Sequence, residues 1–156
     1  MTFDDDVRDL YQEVILDHGR KPRHGQRLAA YDVAAKGDNP MCGDRVEVFV
    51  KMGGDETIAD AGFEARGCAI SVASADLMAE TVRGRSKADT KALFETFRAL
   101  VRTGVCPEHD KALDASLERL APLAGVHEYP SRVKCATLPW HALVAALDGT
   151  RETTSE

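Results

Sequence analysis

The sequence predicts an α+β fold in which helices pack on one face of a small three-stranded antiparallel sheet. The predicted elements run in the order helix, strands, helices, and a hairpin signal at Gly53-Gly54-Asp55 joins two of the strands. The chain has 156 residues, of which 44% are hydrophobic and 29% charged, as is usual for one globular domain with its own core. We therefore expect a single domain over residues 1–150 and a flexible tail over residues 151–156.

The first half of the chain predicts one helix and the three strands. Apolar residues recur at helical spacing over Asp5–His18, and Gly19 predicts the end of that helix. The predicted strands are Arg27–Ala35 at the sheet edge, Arg45–Met52 with its alternating valines, and Thr57–Arg66. Successive strands joined by short connections form an antiparallel meander.

The second half of the chain predicts helices only. They span Ile70–Val82, Lys87–Arg102 with Ser86 as its N-cap, Asp114–Leu123, and Ser131–Leu147, with a loop over Thr103–Asp110. Pro139 falls inside the last helix, and because proline has no N–H to donate, we expect it to kink or restart that helix.

The acidic composition excludes several classes of function. A net charge of −6 and a pI near 5.4 argue against a nucleic-acid-binding protein. No apolar run approaches the roughly 20 residues that span a bilayer, and the acidic N-terminus lacks the order of a signal peptide. We therefore expect a cytoplasmic protein, whose cysteines stay reduced and serve metal binding or catalysis rather than disulfides.

Two cysteines lie at points where the backbone changes direction. Cys42 occupies the turn before the second strand, between Pro40 and Gly43, and is either a mobile nucleophile or a turn thiol with no role. Cys68 lies at a strand-to-helix junction, where the amide groups and the dipole of the helix stabilise a thiolate. Its alternative interpretation is a small core residue buried beneath the helix.

A third cysteine and one carboxylate extend this set. Cys135 begins the last helix beside Arg132 and Lys134, and both the dipole and these cations favour its ionised form. Asp44 follows Cys42 by two residues and is either a metal ligand or a residue that stabilises the turn. Three thiolates and one carboxylate are a donor set that zinc accepts.

The spacing of these residues matches no common zinc motif. The chain has no Cys-x-x-Cys pair, no His-Glu-x-x-His pair of a metalloprotease and no zinc-deaminase signature, so only the tertiary fold could assemble the ligands. Cys106 lies in a polar loop without a helix start or a cationic neighbour, and we expect it to be a bystander unless the loop folds back and lets it substitute as a ligand. His127 and His141 flank the Cys135 segment and are interpreted as ordinary histidines.

Four segments of the chain together resemble a known family. They are Leu10-Tyr11 through Asp17-His18 with Pro22-Arg23; Asn39-Pro40 with Cys42-Gly43-Asp44; Gly67-Cys68-Ala69-Ile70-Ser71; and Arg132-Val133-Lys134-Cys135-Ala136-Thr137-Leu138 with Trp140. These motifs resemble the U-type iron–sulfur cluster assembly family, which contains IscU, the N-terminal part of NifU, and SufU. The SufU branch fits best, because Lys134 replaces the histidine of IscU-type members and because an extra stretch lies roughly between Thr103 and Val126.

The resemblance implies a zinc-dependent protein of the sulfurtransferase type. Its zinc ligands would be Cys42, Asp44, Cys68 and Cys135, and its partner would be a pyridoxal-phosphate cysteine desulfurase of the SufS type, which it activates. Cys42 would be the catalytic thiol: a group of the desulfurase, a histidine by family analogy, replaces it on the zinc, and Cys42 then accepts the persulfide sulfur. We expect a monomer, with other SUF assembly components as further candidate partners, and we leave open whether the protein is itself an enzyme.

Two other interpretations of the same residues remain at this point. The first is a scaffold on which a [2Fe–2S] cluster is assembled and passed to apo-proteins, because such clusters also prefer thiolate ligands. The second is a purely structural zinc domain that serves as a docking module. Lys134 in place of histidine favours sulfur transfer over the scaffold.

Overall fold

A computed structural model describes the backbone of residues 2–154 and the side chains of residues 11–154. Its helices and strands are, in chain order, α1 Thr2–Arg20, β1 Val33–Asn39, β2 Asp44–Met52, β3 Ile58–Arg66, α2 Ala69–Val82, α3 Lys87–Thr103, α4 Asp114–Leu120, α5 Pro130–Leu147 and β4 Glu152–Thr154. Short 3₁₀ turns span Gly54–Glu56, Lys111–Leu113 and Ala121–Glu128. The α+β fold class is therefore confirmed.

The sheet has four strands rather than the predicted three, in the order β3-β2-β1-β4. β1 and β3 pair antiparallel with β2, as a meander requires, and β4 pairs parallel with the other edge of β1. β4 lies within the segment expected to be a flexible tail. The end of α5 brings this segment alongside β1, where the amide of Lys36 donates to the carbonyl of Arg151 at 2.8 Å. A fourth strand of three residues is too short to be visible in a sequence pattern.

The first strand also lies later in the chain than predicted. It begins at Val33 and continues to Asn39, which pairs with Asp44 across a tight turn. The residues before Val33 do not belong to the strand, because they cover the outer face of β2. The guanidinium of Arg27 lies 5.0 Å from the centre of the Phe49 ring. Tyr31 lies 5.0 Å from the same ring, so the apolar pattern that predicted a strand here reflects packing instead.

Helices α2 and α5 cover the opposite face of the sheet and enclose the core. The valines of β2, at positions 46, 48 and 50, are buried on this face. Trp140 of α5 is fully buried and contacts the rings of Phe94 and Phe97 on α3, so α3 forms a further layer behind α5. Among the helices of the described residues, none is long and apolar enough to cross a membrane.

Most of the predicted helix ends are correct, and the exceptions have physical causes. Ser86 caps α3 by accepting the amide of Asp89 at 3.0 Å, as predicted. Gly19 does not end α1, which continues to Arg20. A Cβ atom at Gly19 would lie 2.9 Å from the carbonyl oxygen of Ala69, so this glycine permits the close approach of α1 to the start of α2.

The C-terminal helices differ in length and continuity from the prediction. The predicted helix over Asp114–Leu123 is α only as far as Leu120, and the chain continues from there as a 3₁₀ turn that contains Pro122. α5 is one continuous helix through Pro139, so the proline does not restart it.

Candidate metal centre

The candidate centre forms where three segments meet at one end of the sheet. Asp44 is the first residue of β2 and Cys42 lies in the turn just before it. Arg45 pairs with Arg66, the last residue of β3, so the β3–α2 junction with Cys68 lies at the same end of the sheet. α5 packs across this face and adds Cys135 from its second turn. The meander and the packing of α5 therefore bring together residues that are far apart in the sequence.

The turn between β1 and β2 holds Cys42 at the surface. The carbonyl of Asn39 accepts the amide of Gly43 at 2.8 Å, and Gly43 has a φ of 74°, which closes the turn in the left-handed region that glycine favours. The buried side-chain amide of Asn39 donates to the sulfur of Cys42 at 3.1 Å. The sequence named Asn39 only within a segment that carries the family resemblance, and its contact with the thiol was missed.

Asp44 is almost completely buried, with 1% of its surface exposed, and it connects two segments of the centre. Its Oδ1 atom accepts the backbone amide of Cys68 at 3.0 Å, and its Oδ2 atom lies 3.7 Å from the sulfur of Cys68. The carboxylate fits here because residue 67 is glycine: a Cβ atom at Gly67 would lie 2.2 Å from Oδ1.

The thiols of Cys68 and Cys135 are in different protonation states. Hydrogen bonding by Cys135 and, to a lesser degree, by the amides of Ser71 and Ile70 lowers the pKa of Cys68 to about 6, although burial and Asp44 oppose the change. The hydrogen bond to Cys68, with burial, raises the pKa of Cys135. In the metal-free protein Cys68 is therefore the thiolate and Cys135 the thiol that donates to it. The lowered pKa of Cys68 agrees with the thiolate, one of the two interpretations that the sequence left open. The prediction of an ionised Cys135 was wrong for the metal-free protein, because the neighbouring thiolate already holds that charge.

The structure brings the predicted ligands together. Ligand atoms of Cys42, Asp44 and Cys135 all lie within 4.8 Å of one another, and the sulfurs of Cys42 and Cys135 are 3.6 Å apart. Cys68 lies outside that group of three but contacts two of its members, Asp44 and Cys135. A tetrahedral ion with bonds of roughly 2.3 Å sets two sulfur ligands about 3.8 Å apart, so the donor set and its spacing fit zinc.

Arg132 provides positive charge at the centre. The charges of Cys68 and Cys135, together with hydrogen bonds to both sulfurs, raise the pKa of the Arg132 guanidinium. Lys134 has a different position: it lines a cleft between α3 and α5 rather than the centre. Of the two cations that the sequence placed beside Cys135, Arg132 is the one that contacts the thiols.

The remaining cysteine lies apart from this group. Cys106 is exposed in the loop after α3, where its sulfur is 3.6 Å from Nδ1 of His109. The Nε2 atom of His109 is 2.6 Å from Asp114, and hydrogen bonds to Pro107 and Asp114 raise the pKa of this histidine. His127 and His141 do not join the centre either, since both line the cleft that contains Lys134.

Comparison with known proteins assigns the family. The sequence matches the family model described as NifU-like N terminal domain over residues 10–136, which include every residue of the candidate centre. The chain belongs to this NifU-like family. The match confirms the resemblance predicted from the cysteine motifs.

Relatives in the NifU-like family carry two kinds of name. The chain is 35% identical over 143 residues to "Zinc-dependent sulfurtransferase SufU" of Bacillus subtilis, covering 92% of each protein. It is 38% identical over 138 residues to "Iron-sulfur cluster assembly scaffold protein IscU" of Streptococcus pyogenes, covering 88% of this chain and 82% of that protein. The fold is similar to the crystal structure of a putative SUF-system scaffold protein from Fervidobacterium islandicum, with a TM-score of 0.76 and 31% identity over 86% of this chain and 94% of that one.

Proposed function

We propose that this protein is a zinc-dependent sulfur acceptor and transfer protein of iron–sulfur cluster assembly, which works with a cysteine desulfurase of the SufS type. The observation that carries the proposal is the convergence of the Cys42, Asp44 and Cys135 ligand atoms within 4.8 Å, with Cys68 in contact. The SufU relative, similar over 92% of both chains, supports zinc and sulfur transfer as the role of this centre.

Zinc fits the centre by chemistry as well as by spacing. Cys42, Cys68 and Cys135 would supply three thiolates and Asp44 one carboxylate, so that the filled centre carries a net charge of −2, from +2, −3 and −1. Arg132, which already contacts two of the sulfurs, offsets part of this excess. A bound zinc ion would keep these thiols ionised near neutral pH, where an unperturbed cysteine is mostly protonated.

Cys42 is the acceptor thiol in this proposal because it is the exposed member of the set. Cys135 is fully buried and Cys68 is half-buried beneath the start of α2, so a partner's active site reaches Cys42 first. The Cys42 thiolate attacks the outer sulfur of the desulfurase persulfide and forms a new S–S bond. The S–S bond of the desulfurase breaks, and its cysteine leaves as a thiolate. The amide of Asn39 is positioned to stabilise charge on the Cys42 sulfur during this exchange.

A [2Fe–2S] scaffold is the second candidate function, and the IscU relative with 38% identity favours it. The same thiolates would then hold iron, since clusters of this kind also select sulfur ligands. Metal analysis of the aerobically purified protein separates the two candidates. Colourless protein with about one zinc per chain supports sulfur transfer, whereas brown protein with iron supports the scaffold.

The Cys42→Ala variant tests the acceptor role. We expect it to bind the desulfurase but to lose sulfur acceptance and the stimulation of cysteine turnover, because the attacking thiol is gone. The matched control is Cys106→Ala, which removes the exposed thiol outside the centre and should leave stimulation unchanged. Cysteine turnover is measured as alanine released by the desulfurase with each variant. Full stimulation by the Cys42→Ala variant would show that another group is the nucleophile.

A further inference from the structure

A cleft with a volume of about 320 Å³ opens between α3 and α5, beside the metal centre. Its titratable lining side chains are all basic: Arg98, Arg102, His127, Lys134 and His141. We call these five residues the cationic cleft. Arg98 and Arg102 come from the last half of α3, and Lys134 and His141 come from α5. The cleft is therefore built on two packed helices, which fix its width.

The positive charge of the cleft is largely unneutralised. Arg98 has Glu95 at 3.9 Å, on its own helix. Among the side chains that the structure describes, no carboxylate lies within ion-pair distance of Arg102 or Lys134. Burial and the nearby Arg98 lower the pKa of His141, so this histidine adds little to the positive charge that Arg98, Arg102 and Lys134 supply. A concentration of positive charge is unexpected in a chain of net charge −6 and favours an anionic partner.

The cleft lies next to the segment of α5 that carries one ligand of the centre. Val133 and Lys134 line it and directly precede the ligand Cys135. Two large apolar side chains are exposed in the segments that lead into the centre: Met41, with 80% of its surface exposed, precedes Cys42, and Tyr129, with 60% exposed, precedes α5. Large apolar side chains exposed in segments that lead into a functional centre are typical of a surface that contacts another protein.

We propose that the cationic cleft binds an acidic segment of the desulfurase and thereby orients that enzyme over Cys42. This inference rests on the proposed function, for which it names the docking contact. Apolar groups such as Val133 and Pro130 line the cleft together with the cations, and they suit the methylene groups of glutamate side chains better than a hydrated inorganic anion. Charge pairs of this kind raise the rate and strength of association and weaken with salt.

The test is the concentration of this protein that gives half-maximal stimulation of a SufS-type desulfurase. The variants are Arg98→Glu/Arg102→Glu and the single change Arg102→Glu, which lies on an exposed position of α3 and avoids a new repulsion with Glu95. The control is Lys51→Glu, which makes the same charge change on an exposed residue at the far end of β2 from Asp44. Zinc content and far-ultraviolet circular dichroism are measured for each variant, to check that the metal centre and the fold are intact.

We expect the half-maximal concentration to rise about tenfold for the double variant and about threefold for the single variant, with maximal turnover unchanged. The salt dependence of stimulation should weaken in the same order, and Lys51→Glu should behave as the unmodified protein. A double variant within about twofold of Lys51→Glu would overturn the inference while leaving the proposed function standing.

A second measurement does not depend on the desulfurase. A fluorescein-labelled hexaglutamate peptide should bind the unmodified protein at low ionic strength, read by fluorescence anisotropy, and bind the double variant at least about fivefold more weakly. Should the unmodified protein fail to stimulate the desulfurase, the proposed function fails and this measurement alone decides on the cleft. Equal binding by both proteins, no binding by either, or displacement of the peptide by inorganic phosphate at matched ionic strength would overturn the cleft as a site for acidic segments.

Discussion

Cys68 and Cys135 share one proton in the metal-free protein, and their unequal positions decide which residue keeps it. Cys68 precedes α2, so the free amides of Ile70 and Ser71 point at its sulfur and stabilise a negative charge there. Cys135 is fully buried inside α5, where a second negative charge beside Cys68 is unfavourable. Before zinc can bind all three thiolates, this remaining proton has to leave.

This difference predicts the pH dependence of alkylation in the metal-free protein. The pKa of Cys68 is lowered to about 6, so Cys68 is a protonated and slow thiol below that pH and a reactive thiolate above it. We expect its rate of reaction with iodoacetamide to reach half of its plateau near pH 6, while Cys135 stays unmodified through the neutral range. Mass spectrometry of the tryptic peptides measures both rates. A midpoint near 9.0, the ordinary value for cysteine, would contradict the assignment.

Asp44→Ala tests the carboxylate as a ligand. The change removes one proposed zinc donor and also leaves the buried amide of Cys68 without its acceptor, so we expect zinc occupancy to fall well below one per chain. Asp38→Ala is the control, because Asp38 is a solvent-exposed carboxylate on the neighbouring strand β1. Elemental analysis after dialysis measures the zinc. Equal occupancy in both variants would argue against ligation by Asp44.

The residues that meet at the candidate centre could be named from the sequence, but the proton on Cys135 could not be predicted from it. Each cysteine motif marks a turn or a helix start, and these local features depend on neighbouring residues that the sequence shows. The proton on Cys135 depends on Cys68, 67 positions earlier in the chain, and on their contact across the fold. The amide of Asn39 at the Cys42 sulfur likewise depends on how the turn closes.

At the scale of secondary-structure elements, the β3–α2 junction places one ligand against another. Gly67 is the first residue after β3 in this connection, and a Cβ atom there would lie 2.2 Å from Asp44 Oδ1 and 2.8 Å from its Cγ. No side chain can occupy that position unless the carboxylate or the junction moves. The distance between Asp44 and Cys68 therefore depends on a residue that contributes no ligand atom.

Gly67→Ala should consequently disturb the centre and the fold together. We expect a loss of about 1–3 kcal/mol in the free energy of unfolding, as for other overpacked sites, and reduced zinc occupancy. Gly54→Ala is the matched control, because a Cβ atom at Gly54 meets nothing within 4 Å. Thermal denaturation of the metal-free proteins measures the first effect and elemental analysis the second. A Gly67→Ala variant with the stability and zinc content of Gly54→Ala would contradict this account.

Elements were predicted well where a local pattern decides them and poorly where a distant segment does. The alternating valines of β2 and the Ser86 cap of α3 are local signals, and both elements lie where the sequence placed them. β4 forms because the chain after α5 meets the free edge of β1. Arg27 lies outside the sheet because its guanidinium packs on the ring of Phe49. Such contacts join residues far apart in the sequence, and the hydrophobic periodicity of a local segment does not predict them.

At the scale of the whole molecule, the centre connects three parts of the chain that are also joined by packing and by hydrogen bonds, among them those from Cys68 to Asp44 and from Ser74 to Ala136. The β1–β2 turn, the β3–α2 junction and α5 all contribute ligands, so a bound ion would act as a cross-link among the sheet, α2 and α5. A ligand that binds only the folded state stabilises that state in proportion to the logarithm of its excess concentration.

Removing zinc should therefore lower the melting temperature. Free zinc at about 100 times its dissociation constant stabilises the fold by about 2.7 kcal/mol. For a chain of this size each kcal/mol corresponds to about 2–4 °C, so we expect a fall of at least about 5 °C after chelation. Differential scanning calorimetry measures the change, and addition of zinc to the stripped protein should restore it. An unchanged melting temperature after proven metal loss would show that the ion does not tie these segments together.

The packing of Trp140 gives this molecule a built-in optical reporter. It is the single tryptophan of the chain, it is fully buried, and it lies five residues beyond Cys135 on the same helix. Its fluorescence comes from an indole in contact with the rings of Phe94 and Phe97 on α3, so a shift of α5 on metal loading or partner docking should change the emission without an added label. Stopped-flow emission from this indole can time both events in the unmodified protein.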